Sequence, residues 1–299
     1  MNIVRRWLFA LLLLPCLAVP PLHAAELILS SAGDTQSLKG FSSALASLRS
    51  EDSIRVVALN DLPPLNELPA DTRLILFGQA ALAWRLSSDE GPATLVLQVN
   101  QAQAMSTLGK RRPDRLSLLW ADAAPARQLR LIRHLLPHAR RVGVLHDEHS
   151  GTMLSELQAA AAPLNLEIVP EQWSNTRDNR PLLNALQDSD LLLAIADDDL
   201  YNAQTAKNLL LTSYSQQRAM IGPSAGFVRA GSLASTYSDQ EDWLSTLDAL
   251  LDLPPEQWPA SSYAHAFKVV GNRQVARALA VDLPDDDALT RLLSEGETR

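Results

Sequence analysis

The chain has 299 residues, 46% apolar and 20% charged, and a formal charge of −8 from 26 basic and 34 acidic residues. This composition is globular and excludes disordered, collagenous and disulfide-framework classes, and at about 150 residues per domain it has room for two domains. The acidic balance opposes a polyanion partner, so no nucleic acid is expected.

The chain opens on an export pattern. Arg5 and Arg6 form a basic start, and Trp7 to Val19 is an apolar run too short for a stable membrane span. Pro20 and Pro21 then break the run before Leu22-His23-Ala24-Ala25, a small-residue cleavage stretch. The expectation is a signal peptide over residues 1–24, cleaved near Ala24, and a periplasmic location. The alternatives are a buried N-terminal helix, an uncleaved anchor, or lipidation at Cys16, where Pro15 stands in place of the small residue of a lipobox. Cleavage leaves 24 basic residues against 34 acidic ones and removes the single cysteine. Thiolate zinc sites, Fe–S clusters and cysteine nucleophiles are then excluded.

From there apolar runs alternate with helical patterns. Strands are predicted over 27–30, 54–59, 74–77, 94–99 and 116–120, with helices over 36–49 and 80–86. The runs are continuous in apolar residues, as strands covered on both faces require, and the βαβ order implies a parallel sheet. The cycle repeats with helices over 125–138, 150–162, 177–186 and 201–217. Strands interleave over 141–145, 166–169, 191–195 and 219–222. A helix over 241–251, a strand over 267–270 and a helix over 273–280 follow. The fold class is therefore α/β, with two Rossmann-like lobes over 25–120 and 121–240 and a C-terminal segment, 241–299, packing back across them.

In open parallel sheets ligands bind beyond the C-terminal strand ends. The residues there are Ser30-Ser31, Gly78-Gln79, Trp120-Ala121-Asp122, His146 to Ser150, Ala196 to Asp199 and Pro223-Ser224. Their hydroxyls, free backbone N–H groups and carboxylates suit a small polar ligand, although the same residue types are ordinary helix caps. The candidate ligand set is Ser30, Ser31, Gly78, Gln79, His146, Ser150, Asp197, Tyr201 and Ser224. A buried Asp197 favours a ligand with a positive group; the competing role is capping of the next helix.

His146-Asp147-Glu148-His149 and Asp197-Asp198-Asp199 offer metal-type ligands, but neither has the spacing of a known site, so no metal or cofactor is expected. Nucleophile-elbow, P-loop and H-E-x-x-H patterns do not occur, and no catalysis is expected. Lys110-Arg111-Arg112 with Arg115 reads as a solvated turn or a docking contact.

Three segments carry a resemblance. They are Ala121 to Gly151, with Pro125-Ala126-Arg127-Gln128 leading into Arg141-Val142-Gly143-Val144; Ala196 to Asn202, continuing to Thr212; and Ile221-Gly222-Pro223-Ser224 followed by Phe227 to Leu233. Together with Asn272 to Leu279 they resemble the periplasmic substrate-binding proteins of uncharacterised ABC transporters, a group related to tryptophan- and tyrosine-binding lipoproteins. The likeness spans about residues 115–285; Ala196 stands where the family has Pro, and Ser232 where it has Ala. The resemblance implies a type I periplasmic-binding fold whose lobes close on a small-molecule ligand. It also implies delivery to the membrane permease of an ABC transporter; an accessory role for a membrane receptor is the alternative.

Overall fold

The computed structural model describes residues 26–33 and 35–297; the signal-peptide reading lies outside them. In chain order the first elements are β1 (Glu26–Ser31), α1 (Thr35–Leu48), β2 (Ser53–Val56), β3 (Arg73–Phe77), α2 (Gln79–Arg85), β4 (Ala93–Val99), α3 (Gln101–Leu108) and β5 (Leu116–Trp120). Next come α4 (Pro125–Leu135), β6 (Arg141–His146), α5 (Gly151–Ala161), β7 (Glu167–Gln172), α6 (Arg180–Gln187), β8 (Leu191–Leu193), α7 (Ala203–Ser215), β9 (Ala219–Ile221), α8 (Ala225–Ala230) and β10 (Ala234–Tyr237). The chain ends with α9 (Gln240–Leu251), β11 (Ser261–Tyr263), β12 (Lys268–Gly271), α10 (Arg273–Ala278) and α11 (Asp286–Glu297). Among the described residues no helix is long and apolar enough to cross a membrane.

Two six-stranded sheets result, with orders β11-β5-β4-β3-β1-β2 and β12-β10-β9-β8-β6-β7. Every pairing is parallel except β10 with β12. The continuous apolar runs have the cause inferred from sequence. In the first lobe Leu27, Leu29, Ile75, Leu95 and Leu97 pack on α1 and α9. Their neighbours Ile28, Leu74, Leu76 and Val96 pack on α2 and α3 on the opposite face. The second lobe has one apolar cluster that takes in Val142, Val144, Leu192, Ile221 and Trp173.

The chain passes between the sheets three times: from β5 into α4, from β10 into α9, and from β11 into β12. Thus α9 follows a strand of the second sheet, yet its Leu244, Leu247 and Leu251 complete the core of the first. All three crossings run between β11 or β5 at one end of the first sheet and β12 or β10, or the helix beside them, at one end of the second.

The two sheets gain elements that the apolar pattern did not single out. Helix α3 is polar on most of its surface and starts from a capping box of Asn100 and Gln103. Strand β11, Ser-Ser-Tyr, has no apolar signal and exists because it pairs with β5. Helices α8 and α11 and strand β10 are likewise added. Several limits move: α7 begins at Ala203, not at Tyr201, because Asn202 caps it and accepts from the Gln204 and Thr205 N–H groups.

Candidate functional site

The strand ends of both lobes face a common cleft with two adjoining chambers. The larger, about 520 Å³, is lined by Ser31 from the end of β1, Phe77 from β3, Phe41 from α1, and Asp239 and Trp243 at the start of α9. The smaller, about 340 Å³, is lined by Asp122 and Arg127 from the first crossing, by Ser224 after β9, and by Tyr237 at the end of β10. Gln98, Ser238 and Trp243 line both. These volumes are those of small-molecule sites.

Gln98 is held at φ 58°, the left-handed region that non-glycine residues seldom occupy. It stands where β4 loses register with β5, so the strand turns out at the wall of the cleft. Trp243 is fixed by its indole N–H, which donates to the Ser238 carbonyl at 3.2 Å.

Asp122 is the distinctive charge. It is only 7% exposed, and Oδ2 accepts the Gln101 backbone N–H at 2.8 Å. Its other oxygen, Oδ1, is buried without a hydrogen-bond partner among the described residues. Burial pushes this carboxyl up to about 7, opposed by the Gln101 N–H and reinforced by the charges of Glu156 and Asp198. Arg127, beside it, is committed elsewhere. Its guanidinium donates to both Glu297 oxygens at 2.7 and 3.0 Å and to the Ala264 carbonyl at 3.0 Å, and it lies 3.7 Å over the Phe267 ring. Asp239 accepts from Lys268 and from the N–H groups of Glu241 and Asp242.

A second polar cluster lies on the second lobe alone. Asp147, Asp197 and Asp199 each offer an oxygen within 4.8 Å of the others. Two of the three are engaged in shaping loops. Asp147 accepts from the His149 and Ser150 N–H groups at 2.7 and 3.1 Å. Asp197 accepts from the Asp199 and Leu200 N–H groups at 3.1 and 3.3 Å, and the Ser150 hydroxyl donates to it. Burial and the neighbouring Asp147 raise the Asp197 carboxyl above its ordinary value.

The residues singled out from sequence therefore fall into three groups. Ser31 and Ser224 line the cleft, Ser224 also capping α8 by accepting the Phe227 N–H at 3.4 Å. Ser150 and Asp197 meet in the second-lobe cluster, and His146 lies next to it, its Nδ1 3.1 Å from the Asp147 carbonyl oxygen. The others lie in their own lobes. Tyr201 is 4% exposed and donates to the Leu145 carbonyl at 3.0 Å, and Ser30 is fully buried. Gly78 turns the chain from β3 into α2 at φ 86°, and Gln79 donates to Thr107 of α3 at 2.9 Å. Asp122, Gln98 and Trp243 were outside the candidate set. Asp122 was visible as a strand-end acid; Gln98 and Trp243 carry no sequence signal, because only folding brings β4 and α9 to one wall.

The chain matches no protein-family profile. No curated protein matches it either. Solved structures do share its fold. A ligand-free, open substrate-binding protein with adhesive properties from Clostridium difficile aligns with a TM-score of 0.63 and 15% identity, over 88% of this chain and 97% of that one. An ABC domain in complex with L-Trp from Streptococcus pneumonia aligns at 0.57 and 15% identity, over 88% and 96%. A conserved domain protein from Vibrio cholerae aligns at 0.56 and 16%, over 89% and 97%. The fold is that of type I periplasmic binding proteins.

Proposed function

We propose that the protein is an exported solute-binding component of an ABC-type uptake system, taking a small molecule between its lobes and passing it to a membrane permease. The observation that carries this reading is the cleft. Polar and aromatic side chains from both lobes converge on it, Gln98 and Trp243 with Ser224 and Tyr237. The shared fold and the L-Trp complex of one structural neighbour support it.

No chemistry is required of the residues. A solute held at once by first-lobe groups (Ser31, Gln98) and second-lobe groups (Ser224, Tyr237) gains its full set of contacts only when the lobes are together, so it shifts the hinge toward closure. A permease that reads the closed form then distinguishes loaded from empty protein.

The test is a thermal-shift screen of amino acids, amines, sugars and organic acids with protein purified from the periplasmic fraction. A solute at 100 times its Kd stabilises by about 2.7 kcal/mol, a shift of several degrees. Absence of any shift across a broad library overturns the reading. The export half is tested separately by sequencing the mature N-terminus: a start near Ala25 is expected, and a soluble protein beginning at Met1 overturns it.

A further inference from the structure

We propose that Asp122 is a proton-operated latch between the two lobes. As the neutral acid it lets the first lobe rest on Glu156 and Asp198 of the second, and as the carboxylate it drives them apart. The free protein therefore opens as pH rises. The proton comes from solvent and returns to it. The device needs no solute and stands apart from the solute-binding reading.

The contact is sorted by polarity. Four side chains of the first lobe donate across it, Asn100, Gln101 and Gln103 of α3 or its cap and Tyr263 of β11. Two second-lobe carboxylates accept. Glu156 of α5 takes the Tyr263 hydroxyl at 2.5 Å and Gln101 at 3.1 and 3.2 Å, and Asp198 after β8 takes Asn100 at 3.2 Å and Gln103 at 2.8 Å. Asp122, after β5, is an acid standing among the donors. It is 7% exposed, and its Oδ1 is a buried oxygen without a partner among the described residues. Gln101 Oε1 is a second such oxygen. Ionised, Asp122 sets a third negative charge against the other two where water does not reach it. Protonated, it removes that charge and brings a hydrogen to a cluster that is short of donors.

Nothing else at the contact neutralises the three acids. Among the described residues none of them is in an ion pair. Arg127, the cation on the same crossing as Asp122, is bidentate on Glu297. A shared metal ion does not suit the geometry, since the acids that bring three oxygens within 4.8 Å of one another are Asp147, Asp197 and Asp199. The other titratable groups at this face are three. Burial and Glu156 hold the Tyr263 phenol above its ordinary value, so it remains a donor. His149 and Asp197 line a small pocket with Gln101, and Asp197 is engaged by Ser150 and two backbone N–H groups.

Burial, with Glu156 and Asp198 beside it, keeps Asp122 protonated up to about 7 while the lobes touch. Once they part, water reaches the carboxyl and it returns toward its ordinary value. Contact therefore takes up a proton and separation releases it, so acid favours contact. Between pH 5.5 and pH 8.5 the ratio of touching to separated lobes changes by up to about thirtyfold if that return is complete.

The experiment is small-angle scattering of the full mature chain, free of solute, from pH 5.5 to pH 8.5 at constant ionic strength. The radius of gyration is expected to rise with pH, with its midpoint near 7. Asp122→Asn, neutral throughout, is expected to keep the compact value at both ends. Glu156→Gln and Asp198→Asn each retain an acceptor oxygen and remove one opposing charge, so the expansion at pH 8.5 is expected to shrink in each. They keep the latch testable if Asp122→Asn folds poorly. His149→Gln is expected to leave the pH dependence in place.

A radius that does not change with pH in the parent overturns the proposal. So does an unchanged pH dependence in Asp122→Asn or in both charge-removal variants, or its loss in His149→Gln. None of these results bears on the solute screen, and an empty screen leaves the latch standing.

Discussion

Asp122 and Asp197 are both nearly buried carboxylates after a strand, at 7% and 3% exposure, and their surroundings give them opposite roles. Asp197 has its oxygens occupied by Ser150 and two backbone N–H groups, so it holds the turn between β8 and α7. Asp197→Asn is expected to cost the free protein about 1–3 kcal/mol, read from urea denaturation, because the turn loses charge-assisted bonds. Asp122 has one oxygen satisfied and a carboxyl raised to about 7. The groups acting on it are Glu156 of α5, Asp198 after β8 and the Gln101 N–H of α3, and it in turn raises the Tyr263 hydroxyl of β11. Since the folded state holds this proton more tightly than the unfolded chain does, the contribution is present below pH 4. It is lost as pH rises to about 7, amounting at most to about 4 kcal/mol. Asp122→Asn removes that loss, so the variant is expected to be more stable than the parent at pH 8, with the difference vanishing near pH 4.

At the scale of elements, α9 is the piece that fixes how the lobes are joined. Leu247 is fully buried in the first-lobe core although the helix is entered from the second sheet. Leu247→Ala is expected to cost about 2–5 kcal/mol of stability in calorimetric unfolding. The loss falls on the wall that carries Trp243, so solute affinity drops with it. β6 shows a different constraint. A Cβ on Gly143 would lie 2.6 Å from the Ser189 hydroxyl and 3.0 Å from the Ala185 carbonyl oxygen at the end of α6. The glycine is there for close approach of helix to strand, and the Arg-Val-Gly-Val run carries this packing requirement as much as any family likeness.

For the molecule as a whole, the lobes touch through polar pairs as well as through the three crossings. Asn100 and Gln103 at the start of α3 donate to Asp198 of the second lobe, and Gln101 donates to Glu156. These exposed or half-exposed contacts are weak individually and replaceable by water, as a joint that opens and closes requires. Asp198→Ala removes the oxygen that accepts from both Asn100 and Gln103. The expected outcome is a larger radius of gyration in small-angle scattering of the free protein, with unfolding stability changed by less than about 1 kcal/mol.

The sequence by itself determined the α/β class and the two repeated parallel lobes. Continuous apolar strands and amphipathic helices record their burial locally, in the period of the pattern. It also placed Ser31, Ser224 and Asp122 at strand ends, where parallel sheets present their ligand-facing edge. Only the tertiary structure decided which of those ends meet. Tyr201 and Asp197 look like ligands as a string, but one donates to a core carbonyl and the other holds a turn. Gln98 and Trp243 became cleft walls through a strand irregularity and a returning helix. β11 has no pattern of its own and arises from pairing with β5. The physical reason is common to all of these. Apolar periodicity reports contacts along an element, whereas a cleft is made by groups far apart in the chain, and whether a buried carboxylate has a partner depends on the three-dimensional arrangement alone.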